Sequence, residues 1–340
     1  MKILGIESSC DECSAAVVEN GENILSNVIA TQIPFHAAYK GVVPEIASRK
    51  HTEWIYDIVS RSLTEANLTA RDIDGVAASS QPGLGGSLLV GFTFGKAFAY
   101  ARQLPFIACD HMLSHLYAAR LSGERPAYPF LGLLASGGHT IICKVDDFDK
   151  VSVLGTSIDD AIGEAFDKIA KHFGWAYPGG QYIDEAARQG DAAAFAFPLA
   201  NLHKGDHRYD VSYSGLKTAV INQLEQFRKK GAAGEINGPD IAASFQKAAF
   251  EILLRALFNA VEDSGITTIV LGGGVVANSY LRASLAARTG LHCIFPEPSL
   301  CGDNGAMVAG IAYQYLSRGI RSPLDSTVCS RVKAFKRRYP

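Results

Sequence analysis

The sequence predicts an α/β protein built from two related halves. Three observations carry this: short apolar runs alternate with helical patterns along the chain; a strand–turn–strand segment at the start recurs near residue 130; and the length of 340 residues is that of two domains, at roughly 100–200 residues each. The composition is 48% apolar, with 32 basic against 34 acidic residues and a net charge of −2. That suits a packed core and excludes global disorder. It also excludes a uniformly basic nucleic-acid coat, though not a local basic patch.

Taken in order, residues 2–6 read as a strand, 7–14 as a polar turn and 15–18 as a second strand. The same pattern returns at 130–134, 135–140 and 141–145, with Leu4-Gly5 over Leu131-Gly132 and Ser9 over Ser136. Two hairpins, each opening one half of the chain, indicate a duplicated domain around a central cleft, divided as 1–125 and 126–340. Within the first half, 44–66 has helical spacing (Ile46, Trp54, Ile55, Ile58, Val59), 73–79 is a strand, and 87–102 an apolar helix. A short strand at 106–108 leads into a helix over 110–121. The second half predicts helices over 157–173, 186–200, 241–264 and 304–316, a strand at 268–271, and a loop over 230–239.

The N-terminus lacks the long apolar run of a secretory signal. The longest uncharged stretch, 75–95, contains six glycines and Pro82, which reads as loop and buried helix start rather than a membrane span. A soluble, cytoplasmic protein without membrane contact is expected. Seven scattered cysteines argue against a disulfide framework. Cys10 and Cys13 form a C-x-x-C, but Asp11 and Glu12 between them raise a thiol pKa and no second pair completes a zinc site.

His111 and His115, four apart on a helix, share one face and can reach one metal. Asp303 offers a third ligand, or alternatively a helix N-cap. Two imidazoles and a carboxylate leave open positions, suiting non-haem Fe(II) or catalytic Zn(II). The peptidase pattern H-E-x-x-H is absent, because His111-Met-Leu-Ser-His115 lacks the glutamate. Two glycine-rich turns, Ser136-Gly-Gly-His139 and 272–278 (GGGVVAN), can bring backbone N–H groups to an anion. No Walker A pattern occurs. Asp160, Glu164, Asp167 and Lys171 fall on one helix face ahead of the turn 177–180 (YPGG) and Asp184. The run 331–338 (RVKAFKRR) has five basic residues and no acid, a candidate phosphate-contacting arm.

At these residues the chain resembles the bacterial tRNA threonylcarbamoyladenosine transferase family. The motifs are GIESSCDE (5–12), VVPEIASR (42–49), PGLGGSLLVG (82–91), HMLSH (111–115), SGGHT (136–140), DDAIGEAFDK (159–168), YPGG (177–180), SYSGLKT (212–218), GGGVVAN (272–278) and CGDNGAM (301–307). The resemblance implies two actin/Hsp70/sugar-kinase-like (ribonuclease-H-like) domains around a nucleotide cleft. It implies transfer of a threonylcarbamoyl group from threonylcarbamoyl-AMP to the N6 amine of the adenosine next to the anticodon, in tRNAs reading codons that begin with A. By the same carry-over His111, His115 and Asp303 hold one divalent metal, iron rather than zinc. Leu134, Ala135, Ser136, Gly137, Gly138, Asp167, Gly180, Asp184 and Asn278 line the adenylate site, and Asp11 and Glu12 lie near the reacting groups as candidate general bases. The implied partners are tRNA, a paralogous non-catalytic subunit (TsaB-like), a small P-loop ATPase (TsaE-like) and an upstream threonylcarbamoyl-AMP synthase. Leu113 and Ser114 depart from the usual residues between the family's histidines. The competing expectation is an ATP-dependent small-molecule kinase or ATPase of the same fold, which leaves His111 and His115 unexplained.

Overall fold

A computed structural model describes residues 1–39, 41–200, 202, 207–229 and 238–331. Residues 230–237 of the expected loop and 332–338 of the basic run lie outside the described residues. The chain divides into two compact units, Met1–Pro126 joined by the chain from Phe295 onward, and Ala127–Ile294.

The first unit contains β1 (Lys2–Glu7), β2 (Glu12–Glu19), β3 (Asn23–Thr31), α1 (Ile33–His36), α2 (Pro44–Glu65), β4 (Gly75–Gln81), α3 (Gly85–Arg102), β5 (Phe106–Asp110) and α4 (His111–Ala118). Its sheet has the order β3-β2-β1-β4-β5. β1 pairs antiparallel with β2 and parallel with β4, β2 antiparallel with β3, and β4 parallel with β5.

The second unit contains β6 (Phe130–Ala135), β7 (Thr140–Asp147), β8 (Lys150–Thr156), α5 (Ile162–Phe173), α6 (Gly179–Ala187), α7 (Ser214–Lys229), α8 (Gly238–Ser264), β9 (Thr268–Gly272), α9 (Ser279–Ala286) and β10 (His292–Ile294). Its sheet order is β8-β7-β6-β9-β10. The pairing senses repeat those of the first sheet strand for strand. The two echoed hairpins are β1–β2 and β6–β7, so the duplication extends to whole sheets.

After β10 the chain enters α10 (Pro298–Cys301) and α11 (Gly305–Leu316). These pack on the first sheet, which corrects the expected division of 126–340 as one domain. Strand alternation gives the reason. Ile3, Ala16, Val18, Ala77 and Ile107 on one face pack with Ala306, Met307, Ala309 and Ala312. Leu4, Ile6, Ala15, Val17, Val76 and Ala78 on the other pack with Ile55, Ile58, Val59, Phe92 and Ala99 of α2 and α3. Without α11 one face of β1 would be bare. The contact is backbone to backbone: a methyl group on Gly5 would overlap the Gly305 carbonyl and the Ala309 nitrogen, and one on Gly305 would lie 2.6 Å from the Ala16 nitrogen.

Two helix expectations are corrected. No helix spans 186–200; α6 ends at Ala187, and the following backbone is held by α8 instead. There Asp191 N donates to Asp240 Oδ1 (2.7 Å) and Phe195 N to Ser244 Oγ (3.1 Å). The helix expected from 157 begins at Ile162, because residues 157–158 are extended and bond to Val211. Among the described residues, no helix is long and apolar enough to cross a membrane.

Candidate metal centre and nucleotide-binding turns

Asp110 closes β5 and caps α4, its Oδ1 accepting from Met112 N (2.9 Å) and Leu113 N (3.1 Å). This cap starts the helix at His111 and places His115 one turn later, with ring centroids 4.5 Å apart. The N-cap alternative for Asp303 does not hold. Asn304 caps α11, accepting from Met307 N at 3.0 Å, which leaves the Asp303 carboxylate facing the histidines. Its Oδ1 lies 3.1 Å from His115 Nε2 and 3.6 Å from His111 Nε2. One ligand atom from each of the three residues falls within 4.8 Å of the others.

Around this triad sit residues not expected from the sequence. Glu7, at the end of β1, has no solvent exposure. Its Oε2 lies 3.0 Å from His111 Nδ1 and accepts from Ser79 Oγ, while its Oε1 accepts from Ser9 N at 2.6 Å. Ser9 Oγ lies 3.3 Å from His111 Nδ1 and 3.4 Å from Asp303 Oδ2. Burial opposes charge on the His111 imidazole, but the Glu7 and Asp303 carboxylates outweigh it and raise its pKa to about 9. Burial likewise opposes ionisation of Asp303 and Glu7, yet His111 and His115 hold Asp303, and His111 with the Ser79 hydroxyl holds Glu7, below the usual carboxylate range.

The donor set fits a divalent metal. Glu7 occupies Nδ1 of His111 and leaves Nε2 toward Asp303, the carboxylate–histidine arrangement that orients a metal-bound imidazole. The buried His115 Nδ1 has no hydrogen-bond partner among the described residues. Two imidazoles and one carboxylate with open positions suit non-haem Fe(II) or Zn(II).

Asp11 ends the loop from β1 to β2, and Glu12 opens β2. Asp11 is buried, and Glu12 Oε1 accepts from Thr31 Oγ1 at 3.3 Å. Burial raises the Glu12 pKa well above its ordinary value, and the charges of Asp11 and Asp303 add to the effect. Burial followed by Asp11 raises the Cys10 thiol, and burial pushes Cys13 up to about 12. Both thiols are free, and the raised pKa disfavours the thiolate.

The expected adenylate residues all lie in the second unit. The β6–β7 turn is closed by Ser136 N to His139 O (2.9 Å) and His139 N to Ser136 Oγ (3.2 Å). Gly137 and Gly138 are exposed, and a methyl group on either would meet nothing within 4 Å, but the Gly137 backbone packs so closely against α5 that a methyl group on Gly163 would lie 2.7 Å from its Cα. Leu134 and Ala135 are fully buried and offer only backbone. Gly273, at φ +95°, is packed so that a side chain would overlap the Ala135 carbonyl, bringing the β9 turn against the β6 end. Asp167 Oδ1 accepts from Gly179 N (2.7 Å), next to Gly180. Asp184 accepts from Ser279 Oγ (2.7 Å) and from Arg188 (3.0 Å). Asn278 caps α9 through Tyr280 N and Leu281 N, and donates to Gln246 Oε1 at 2.7 Å. The expected charged face divides: Asp160 precedes α5 and binds Lys168 and Lys217, and Lys168 also binds Glu164.

Residues 23–310 match the family model described as tRNA N6-adenosine threonylcarbamoyltransferase. A relative of that name from Treponema denticola is 58% identical over 338 residues, 99% of each chain. The chain belongs to this family. A Borrelia garinii member is 48% identical over 340 residues, covering 100% of this chain and 99% of its own. Two solved structures share the fold at low identity. Full-length HypF in the phosphate- and nucleotide-bound form has a TM-score of 0.62 at 14% identity, covering 94% of this chain and 47% of its own. Component A of the Acidaminococcus fermentans (R)-2-hydroxyglutaryl-CoA dehydratase has 0.55 at 13%, covering 93% and 99%. Family membership supports the actin-like α/β reading, and the departures at Leu113 and Ser114 leave both histidines of the candidate metal site in place. The one residue whose importance the sequence could have signalled is Glu7, the acid that ends an otherwise apolar strand.

Proposed function

We propose that this chain transfers the threonylcarbamoyl group of threonylcarbamoyl-AMP to the N6 amine of the adenosine next to the anticodon, in tRNAs reading codons that begin with A. The observation that carries the reading is the His111–His115–Asp303 triad, with both histidines buried and His111 braced by Glu7, in a chain 58% identical to a relative of that name. An ATP-dependent kinase of the same fold leaves that triad without a role.

The adenosine amine is a weak nucleophile, so the acyl donor must be activated and held in line. The mixed anhydride supplies AMP as leaving group: the amine nitrogen bonds to the carbamoyl carbon, the bond to the phosphate oxygen breaks, and AMP leaves. His111, His115 and Asp303 would hold the metal, Fe(II) in preference to Zn(II), which supplies Lewis acidity and a template for donor oxygens. Backbone N–H groups at Gly137 and Gly138 hold the phosphate or the developing oxyanion. Ser136, Gly180, Asp167, Asp184, Asn278 and the backbone of Leu134 and Ala135 frame the adenylate. Asp11 or Glu12 takes the proton the amine loses. A cytoplasmic setting follows from the substrate, as do the TsaB-like subunit, the TsaE-like ATPase and a synthase that supplies the adenylate.

The test is the double substitution His111→Ala with His115→Ala. It is expected to abolish both bound metal and transfer to tRNA; full transfer by the metal-free variant would overturn the mechanism.

A further inference from the structure

We infer that His51 is a positioning residue for the acidic loop, clamping its backbone so that Asp11 and Glu12 are presented in one arrangement. The inference rests on the reading of that loop as the acid–base element. Three successive carbonyls of the loop are held from three different elements. Ser9 O accepts from Leu84 N (2.7 Å) at the N-cap of α3, and Asp11 O from Gln32 N (3.0 Å) just before α1. Cys10 O, between them, accepts from His51 Nε2 of α2 at 2.9 Å. Only this middle bond, immediately before the acidic pair, depends on a side chain.

The donor role at Nε2 makes Nδ1 a bare lone pair. That atom is buried and has no hydrogen-bond partner among the described residues, in a residue with no solvent exposure. An unpaired buried acceptor carries a desolvation cost that an apolar residue filling the same space would not. The imidazole therefore does nothing for the core that a hydrocarbon could not do better; what it adds is the bond to Cys10.

The neighbouring clamp is braced to the same helix. Val43 N donates to His36 Nδ1 (3.3 Å), so His36 carries its proton on Nε2 and donates to Gln32 Oε1 (3.3 Å). Gln32 Nε2 in turn donates to Ala47 O (3.4 Å), one turn before His51 on α2. Gln32 and His36 also have no solvent exposure. The first turns of α2 thus hold Cys10 directly and Asp11 through the Gln32 segment.

The experiment compares His51→Met, which keeps volume but removes the donor, with His51→Gln, whose amide can reach the Cys10 carbonyl. It uses the full chain with its accessory proteins, and reads kcat, KM for tRNA, bound metal and amide exchange over residues 8–12. H51M is expected to lose about tenfold to a hundredfold in kcat with metal content and KM for tRNA within about twofold of wild type. Loop amides should exchange about tenfold faster in H51M than in H51Q, and H51Q should recover about half the lost activity on a logarithmic scale. Wild-type kcat in H51M, equal losses in both variants, or a loss that tracks metal content overturns the clamp. Should H51M fail to fold, His51→Asn replaces it: its amide is too short for Cys10 and must behave as H51M. Wild-type activity after Asp11→Asn with Glu12→Gln instead refutes the acid–base reading, while the exchange contrast still decides the clamp.

Discussion

At Glu7 a carboxylate without solvent exposure accepts from Ser79 Oγ and the Ser9 amide and meets His111 Nδ1. The outer partner of a metal-binding imidazole fixes its orientation and raises its basicity. Glu7→Gln keeps the shape and removes the charge, so metal affinity is expected to fall about 10–100-fold in a chelator-competition titration; unchanged affinity would show that Glu7 does not orient His111. Gly273 supports a second residue-scale prediction. Its φ of +95° and its packing against the Ala135 carbonyl make Gly273→Ala destabilising by about 1–3 kcal/mol, read as a lower urea midpoint. His111 and His115 are legible in the sequence because one helical turn puts both on a face, whatever surrounds them. Glu7 shows only as an acid ending an apolar strand, and Ser9 and Ser79 not at all, because only strand pairing brings the ends of β1 and β4 beside α4.

α5 and α7 are joined through two adjacent carboxylates that precede α5. Asp159 accepts from Tyr213 N (2.9 Å) and Ser214 N (3.3 Å), and Asp160 binds Lys168 (2.6 Å) and Lys217. Burial acts to raise the Asp160 pKa, but the two lysines outweigh it and hold the carboxyl below its ordinary value. A depressed folded-state pKa gives stability that is present above the unfolded value, about 3.9, and lost as pH falls through the folded one. Wild type should therefore exceed Asp160→Asn in urea midpoint at pH 7 and pH 5, with the gap closing below about pH 4. A gap that persists at pH 2.5 would mean that charge is not its source. These elements also mark where sequence reading fails. Residues 188–200 are rich in Ala and Phe and read as helix, yet their amides bond to Asp240 and Ser244 on α8, partners far away in sequence.

The two sheets share one strand order and one set of pairing senses, so the weak hairpin echo at residues 2–18 and 130–145 was a sign of a duplicated fold. The return of the chain after β10 was not legible, because it depends on α11 fitting flush to β1 and β2 at Gly5 and Gly305. Gly305→Ala is expected to cost about 1–3 kcal/mol of stability and to lower metal occupancy, since Asp303 lies two residues before the displaced helix; full occupancy at wild-type stability would contradict this. A net charge of −2 gives no basic surface overall, so contact with phosphates would rest on local basic patches. Transfer itself is tested most directly by incubating the chain with unmodified tRNA, ATP, bicarbonate, radiolabelled threonine, the adenylate-forming enzyme and the accessory subunits. Label in the tRNA, lost in the His111→Ala, His115→Ala variant, is the predicted result. Unlabelled tRNA with phosphorylation of a small molecule would contradict threonylcarbamoyl transfer and favour a kinase.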